Sequence, residues 1–374
     1  MNPTTLKAIT TLRHELHQYP ELSNREIETS RRLRRFLQEK TTLEVVVKMD
    51  GWFYAVKEGT DPEAGSIAFR ADMDALPINE GIDLPYASVH PGTAHKCGHD
   101  GHCAALCSLA LELDKLQTKR TVYLIFQKAE ETGDGGQCAA QLIPEKGICE
   151  VYAFHNLSGY PEGAVVYRKG LTQPASEGLR ISFTGKRSHA SAPEDGRNPA
   201  EAIAKTVLYI QKLQKEPHRG MVLCTITGME AGSGDFGISA GEGSLSVTLR
   251  AEEEEELLEL EEKICAFARE EASSQGIRIK WQIYDRFPET RNSTEGIKNV
   301  LCAAESLHIP VMEMPEIWRA SEDFGHYLKK CPGAMFYIGS GENWPALHTE
   351  EYDFNDRILE TAVDMFLTMV KNHL

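Results

Sequence analysis

The chain has 374 residues, 41% hydrophobic and 26% charged, a globular composition on a length that exceeds one ordinary core. A net charge of −16 and a pI near 5.3 exclude the basic face that nucleic-acid binding requires. No window is apolar for long enough to cross a bilayer, and residues 1–11 lack the apolar stretch of a secretory leader. Nine cysteines without a framework spacing suit free thiols in a reducing compartment, so a cytoplasmic protein with no membrane partner is expected.

Residues 4–40 read as helices. Leu6, Ile9, Leu12 and Leu16 recur at helical spacing, Pro20 interrupts the pattern, and Ile27, Leu33, Phe36 and Leu37 resume it. Short apolar runs follow, each ending in polar or glycine-rich residues. Residues 65–70 lead into Asp72, 122–126 into Glu130 and Glu131, 151–154 into His155, and 334–338 into Gly339 and later His348. An apolar helix is expected at about residues 103–116, and Cys103, Cys107, Cys265 and Cys302 are read as small core residues. Strands alternating with helices predict an α/β layer architecture, in which ligands gather beyond the carboxyl ends of the strands. Each candidate metal or acid–base residue is expected to follow a strand, so pattern and chemistry converge on one crevice.

The middle of the chain differs. Residues 179–184 alternate as a strand, 199–213 read as a helix, 222–226 and 243–250 as strands, 252–272 as an acidic helix with a solvated face, and 277–284 as a last strand. The order β-α-β-β-α-β is that of a ferredoxin-like module. Residues 173–286 are therefore taken as an insertion, with the outer domain built from residues 1–172 and 287–374.

Residues 94–102 gather His95, Cys97, His99, Asp100 and His102 with the flexible Gly98 and Gly101. Imidazole, thiolate and carboxylate are the ligands of zinc-like divalent metals, and a turn at Gly98 lets Cys97 and His99 reach one ion. Glu130 and Glu131 point in different directions past a strand end, so one carboxylate can bind metal while the other faces water; an exposed acidic loop would read the same way. Asp72 and Asp74 suit the orientation of metal-binding imidazoles, or equally a turn. His155, His348 and the module's His189 are each open, singly, to a structural reading. His189 either reaches a substrate or caps a turn.

Taken in order, six motifs resemble those of the M20 metallopeptidase family over essentially the whole chain. They are Arg70-Ala71-Asp72-Met73-Asp74-Ala75-Leu76-Pro77, His95-Lys96-Cys97-Gly98-His99-Asp100-Gly101-His102, Phe126-Gln127-Lys128-Ala129-Glu130-Glu131, Ser188-His189-Ala190, Ser321-Glu322-Asp323-Phe324 and Leu347-His348-Thr349. The most similar branch is the amidohydrolase group, with hippurate hydrolases, auxin-conjugate hydrolases and N-acyl-diaminopimelate deacetylases. The resemblance implies a mixed-sheet, zinc-peptidase-like α/β catalytic domain with an inserted α+β ferredoxin-like lid and dimerisation domain. It implies two divalent ions held by Cys97, His99, Glu131, His155 and His348: zinc or manganese, with cobalt or nickel as alternatives. Glu130 is then the general base that later protonates the leaving amine. Asp74 orients the metal site, and His189, often supplied by a partner subunit, polarises the scissile carbonyl. A homodimer acting on small N-acyl amino acids follows.

Three positions depart from the branch pattern. Lys128 stands where proline is usual, Gly234-Asp235-Phe236-Gly237-Ile238-Ser239 replaces an asparagine-containing turn of the lid, and Asn156-Leu157-Ser158-Gly159-Tyr160 follows His155 in place of the usual run to proline. A metallo-dipeptidase or aminopeptidase on the same site is the alternative within the family. A non-catalytic binding relative is the alternative outside it, and it predicts loss of a ligand or of Glu130.

Overall fold

Seven consecutive buried residues, Ser66–Asp72, form a strand covered on both faces, as parallel strands are when helices pack on either side. In the computed structural model, which describes residues 3–372, this strand sits in a mixed eight-stranded sheet. The strand order is Glu44–Val47, Phe53–Lys57, Thr121–Gln127, Ser66–Asp72, Glu150–Ser158, Gly333–Gly341, Val165–Tyr167 and Val311–Glu313. The four strands from Thr121–Gln127 to Gly333–Gly341 are mutually parallel, with Asp72 level with Gln127, and Tyr337 level with His155. Their carboxyl ends therefore share one edge, where an open α/β sheet places its ligands.

One face of the sheet packs the helices Pro3–Gln18, Ile27–Lys40, His99–Leu113, Thr294–Ser306 and Leu359–Lys371. Helix His99–Leu113 is buried at nearly every position, its alanines, cysteines and leucines leaving no polar face to expose. The opposite face is filled by Trp52, Tyr54, Leu142, Ile143, Phe324 and Tyr327. Pro20 ends the first helix as expected.

By internal contacts the described chain divides into two compact units. One comprises the residues up to Thr172 with Thr290–Ile317 and those from Glu322 onward; the other is Gln173–Glu289 with Trp318–Ser321. Residues 287–289, placed in the outer domain on sequence, thus belong with the second unit, because the strand Arg278–Phe287 keeps pairing with Ala175–Thr184 out to Phe287↔Ser176. The first two and last two residues of the outer domain's sequence range lie outside the described residues.

The second unit is a four-stranded antiparallel sheet in the order Val222–Ala231, Glu242–Ala251, Ala175–Thr184, Arg278–Phe287, with helices Ala200–Leu213 and Glu254–Ser274 contributing to its core. This is the ferredoxin-like order.

Two sequence expectations are corrected. His155 does not end its strand: hydrogen bonding continues to Ser158, because Gly333–Gly341 runs beside it for its full length. Cys302 is exposed, whereas Cys103, Cys107 and Cys265 are buried as expected; all nine cysteines are free thiols. Among the described residues no helix is long and apolar enough to cross a membrane.

The sheet is fastened to the last helix by Phe366, whose ring lies 4.6 Å from Phe69 and 5.7 Å from Phe154, centroid to centroid. Phe366→Ala is expected to lower unfolding stability by about 3–5 kcal/mol, read from urea denaturation.

Candidate metal centre

Every residue of the expected ligand set lies in the first unit. Gly98 precedes helix His99–Leu113 with φ +99°, a conformation open to glycine and strained for other residues. That bend brings Cys97 and His99 to the same side. Cys97 Sγ lies 3.4 Å from His155 Nε2 and 3.3 Å from His348 Nε2. Glu131 Oε1 lies 3.7 Å from both His99 Nε2 and His348 Nε2. The groups of potential ligands include Cys97–His99–His155 and Cys97–Glu131–His348, which share the thiol, and beside them His99–Glu130–Glu131 and Asp72–His99–His102.

The imidazoles are oriented from behind. His155 Nδ1 lies 2.7 Å from the Asn156 carbonyl, and His99 Nδ1 lies 2.9 Å from the Asp74 carbonyl and 3.3 Å from Asp74 Oδ1. With Nδ1 as the donor, each ring turns Nε2 toward the cluster, as metal-binding histidines do. Asp74 Oδ2 also accepts the Glu131 N–H at 2.9 Å and the Ser23 hydroxyl at 2.7 Å. His348 sits in the left-handed region at φ +61°, held by its N–H to the Lys96 carbonyl at 2.8 Å.

Three supporting residues, of which only His102 stood among the sequence's candidate imidazoles, hold the site together. His102 Nδ1 is 2.6 Å from Asp72 Oδ1, and its Nε2 is 2.8 Å from Asn156 Oδ1. The Asn156 amide donates to the Cys97 carbonyl at 3.2 Å and to the Tyr352 hydroxyl at 2.6 Å. Buried Asn156 thus joins the Cys97 turn, the His155 strand and the segment beyond His348, which gives the departure after His155 a physical role. Arg70, fully buried, donates to Asp72 Oδ2 at 2.7 Å, Asp323 Oδ1 at 2.6 Å and Glu322 Oε1 at 3.0 Å. Its place inside the first motif was the available signal.

Electrostatics distinguish the groups. Burial pushes Glu130 well above the usual carboxylate range, with Glu322, Glu131 and Asp323 adding repulsion that Arg70 only partly offsets. Burial raises Glu131 likewise, to about 7. Burial would lower His99, yet Asp72, Asp74 and Glu131 raise it to about 10. Burial and the neighbouring Glu131 and Glu130 hold the Cys97 thiol up. His155 and His348 are pushed down by burial first and by neighbouring histidines second.

The donor set fits divalent metal. His99 Nε2 and Glu131 Oε1 are buried with no hydrogen-bond partner, an arrangement that is costly unless a cation completes it. Ligands sharing one ion at about 2.0–2.3 Å stand roughly 3–4 Å apart, the range of the separations above. A proton on His99 balances part of the negative charge that a metal would neutralise.

His189 is in the second unit, exposed, on the strand Ser188–His189. Its Nδ1 accepts the Ser191 N–H at 3.1 Å and meets Ser191 Oγ at 2.7 Å, so the neutral ring carries its proton on Nε2.

A model for Peptidase family M20/M25/M40 matches residues 68–372, and the chain belongs to that family. Hippurate hydrolase of Campylobacter jejuni is 30% identical, with 97% of this chain and 96% of that protein aligned. N-acetylcysteine deacetylase of Bacillus subtilis is 28% identical over 95% of this chain and 94% of its own. The structure of the Bacillus subtilis YXEP protein, a dinuclear metal binding peptidase from the M20 family, superimposes with a TM-score of 0.81 at 25% identity, covering 99% of this chain and 98% of that one. The mixed α/β fold is that of this family, and the chain is an M20-type amidohydrolase.

Two outcomes follow. A Cβ at position 98 would stand 2.2 Å from Asn156 Oδ1. Gly98→Ala should therefore weaken divalent-metal binding by about 10–100-fold in calorimetric titration, the usual cost of disturbing groups that orient ligands. Behind the site, burial would lower His17, but hydrogen bonds with Asp100 and Glu80 raise it from 6.5 to about 9. This stabilisation is complete below pH 6.5 and disappears as pH rises through 9. Denaturation midpoints of wild type and His17→Gln should be far apart in mild acid and converge above pH 9.

Proposed function

We propose that the chain hydrolyses the amide bond of N-acyl amino acids, releasing a carboxylic acid and a free amino acid. The observation that carries this reading is the glutamate pair: half-buried Glu131 faces His99 and His348, while buried Glu130 is held at raised proton affinity among Glu322, Asp323 and Glu131. Hippurate hydrolase and N-acetylcysteine deacetylase, by their names, act on acylated amino acids, which supports the same substrate class.

Cys97, His99, Glu131, His155 and His348 would hold two divalent ions, zinc or manganese with cobalt or nickel as alternatives. Such ions supply Lewis-acid polarisation of a carbonyl and acidification of water. With bound cations offsetting the repulsion that raises its proton affinity, Glu130 would stand ionised, take a proton from the attacking water on its carboxylate and deliver it to the departing amine. Asp74 fixes His99 Nδ1 through its backbone carbonyl and the Glu131 N–H through its carboxylate, so one residue sets the direction of two ligands. His189 offers an Nε2–H to the carbonyl oxygen as charge develops there. Residues 173–286 act as lid and dimerisation surface in a cytoplasmic homodimer. The exposed apolar side chains of Leu208, Met229, Phe236 and Ile238 in that segment support a contact with another chain.

The test is hydrolysis of N-acetyl and N-benzoyl amino acids beside dipeptides, after chelation and after restoring manganese, zinc or cobalt. Metal-dependent release of amino acid is expected from the acylated substrates. Glu130→Gln should lose on the order of 10²–10⁴-fold in kcat while retaining metal. Turnover of dipeptides alone would shift the reading to a peptidase, and wild-type turnover by Glu130→Gln would overturn Glu130 as the base.

A further inference from the structure

The glutamate pair sits on backbone that does not hold its own shape. Ala129, the residue before Glu130, has φ +50°, the left-handed region that disfavours any residue with a Cβ. Its N–H is donated at 2.7 Å to Oε1 of Glu26, a carboxylate 5% exposed at the start of helix Ile27–Lys40. On the other side of Glu130, the N–H of Glu131 is donated to Asp74 Oδ2. Glu130 is thus bracketed by two backbone N–H groups, each held by a buried carboxylate from a distant part of the chain.

The segment that carries Glu26 is itself fixed. The Glu21 carbonyl accepts the Ala75 N–H at 2.8 Å, and Glu21 Oε2 accepts the Thr29 N–H at 2.7 Å. Ser23 Oγ donates to the same Asp74 oxygen that holds Glu131. A buried carboxylate needs hydrogen-bond donors to be tolerated. Glu26 obtains them from backbone N–H groups, that of Ala129 among them, while Asp74 stands near enough to repel it.

We propose that Glu26 is a positioning residue for the general base: its acceptor oxygen holds Ala129 in the left-handed conformation that aims Glu130 and Glu131 apart. This inference rests on the reading of Glu130 as the base. It concerns the acceptor oxygen and its reach rather than its charge. Misplacing a reacting group by about 1 Å costs on the order of 10²-fold in rate.

Three variants of the metal-loaded protein separate reach from charge. Glu26→Gln keeps an acceptor at the Oε1 position, Glu26→Asp keeps the charge but withdraws the oxygen by one methylene, and Glu26→Ala removes both. Turnover is measured on whichever acylated amino acid of the panel above is hydrolysed fastest. Amide hydrogen exchange of a peptide spanning residues 127–135 gives a readout independent of activity.

We expect Glu26→Ala and Glu26→Asp to lose on the order of 10²-fold in kcat with little change in KM and to exchange faster across 127–135, with Glu26→Gln close to wild type in both. Should Glu26→Ala fail to fold, Glu26→Asp against Glu26→Gln decides alone. Wild-type kcat and exchange in folded Glu26→Asp or Glu26→Ala, with Glu130→Gln inactive, would overturn this proposal and leave the base reading intact. Loss in Glu26→Gln equal to that in Glu26→Asp would overturn it also, since charge and not the acceptor would then matter. An active Glu130→Gln would remove the base reading, and this proposal with it.

Discussion

Arg70 projects from the central strand with its guanidinium out of contact with water, and Asp72, Glu322 and Asp323 close around it. Gln127 accepts from its Nε at 3.0 Å and donates to both oxygens of Asp323. Removing one partner of a buried ion pair costs about 3–5 kcal/mol, because the charge left behind has no solvent to accept it. The acidic end of the sheet therefore depends on this cation, with His99 and His102 also offsetting Asp72. Arg70 compensates the carboxylates that it touches, while burial and mutual repulsion still raise the proton affinity of Glu130 and Glu131. The same distribution that makes Glu130 proton-avid makes the space between Glu131 and His99 demand a cation.

A second buried network fastens the ligand segments to the N-terminal helix. Arg13 donates to Asp353 Oδ1 at 2.7 Å and Asp356 Oδ1 at 2.8 Å, while His17 lies 2.8 Å from Asp100 Oδ2, one residue beyond His99. The Lys96 ammonium pairs with Glu80 and donates to the Tyr352 carbonyl at 2.8 Å. Lys96 neighbours Cys97 in sequence, and its own carbonyl holds the strained His348. Ligands from distant parts of the chain are thus anchored to one charged layer, which reduces their freedom to drift when no ion is bound. Such preorganisation is what separates a binding site from a cluster of suitable side chains.

Much of this was legible in the sequence because the chemistry is local there. Cys97 and His99 share one turn, Glu130 and Glu131 are adjacent, and the four parallel strands announce themselves as apolar runs, whereas Glu44–Val47, Phe53–Lys57, Val165–Tyr167 and Val311–Glu313 went unread. The second module's order of elements was equally readable from alternation and helical spacing. The failures are those of long-range contact. His155 reads as a strand end because polar residues follow it, yet pairing with Gly333–Gly341 carries the strand to Ser158. Asn156 offers nothing to a reader of spacing, since its partners Cys97, His102 and Tyr352 are remote in sequence. Glu26 looks like an ordinary acidic residue at a helix start; only the fold shows that it is buried against Ala129. Cys302 sits in an apolar context, but its place on the helix turns it outward.

The proposed ligands are tuned in two opposite directions, and this bears on how the site would take up metal. His155 and His348 are depressed by burial, so they present lone pairs without losing a proton. Cys97 and His99 are raised, the thiol by burial and neighbouring carboxylates, the imidazole by Asp72, Asp74 and Glu131. Each must give up a proton before it can ligate, and a metal ion at that point replaces the proton's charge among the same carboxylates. On the proposed ligand set, capture of metal would be an exchange of cations rather than the filling of a neutral cavity. The carboxylates around Asp72 are balanced by Arg70 together with His99 and His102, and those around Asp100 by Arg13 and His17.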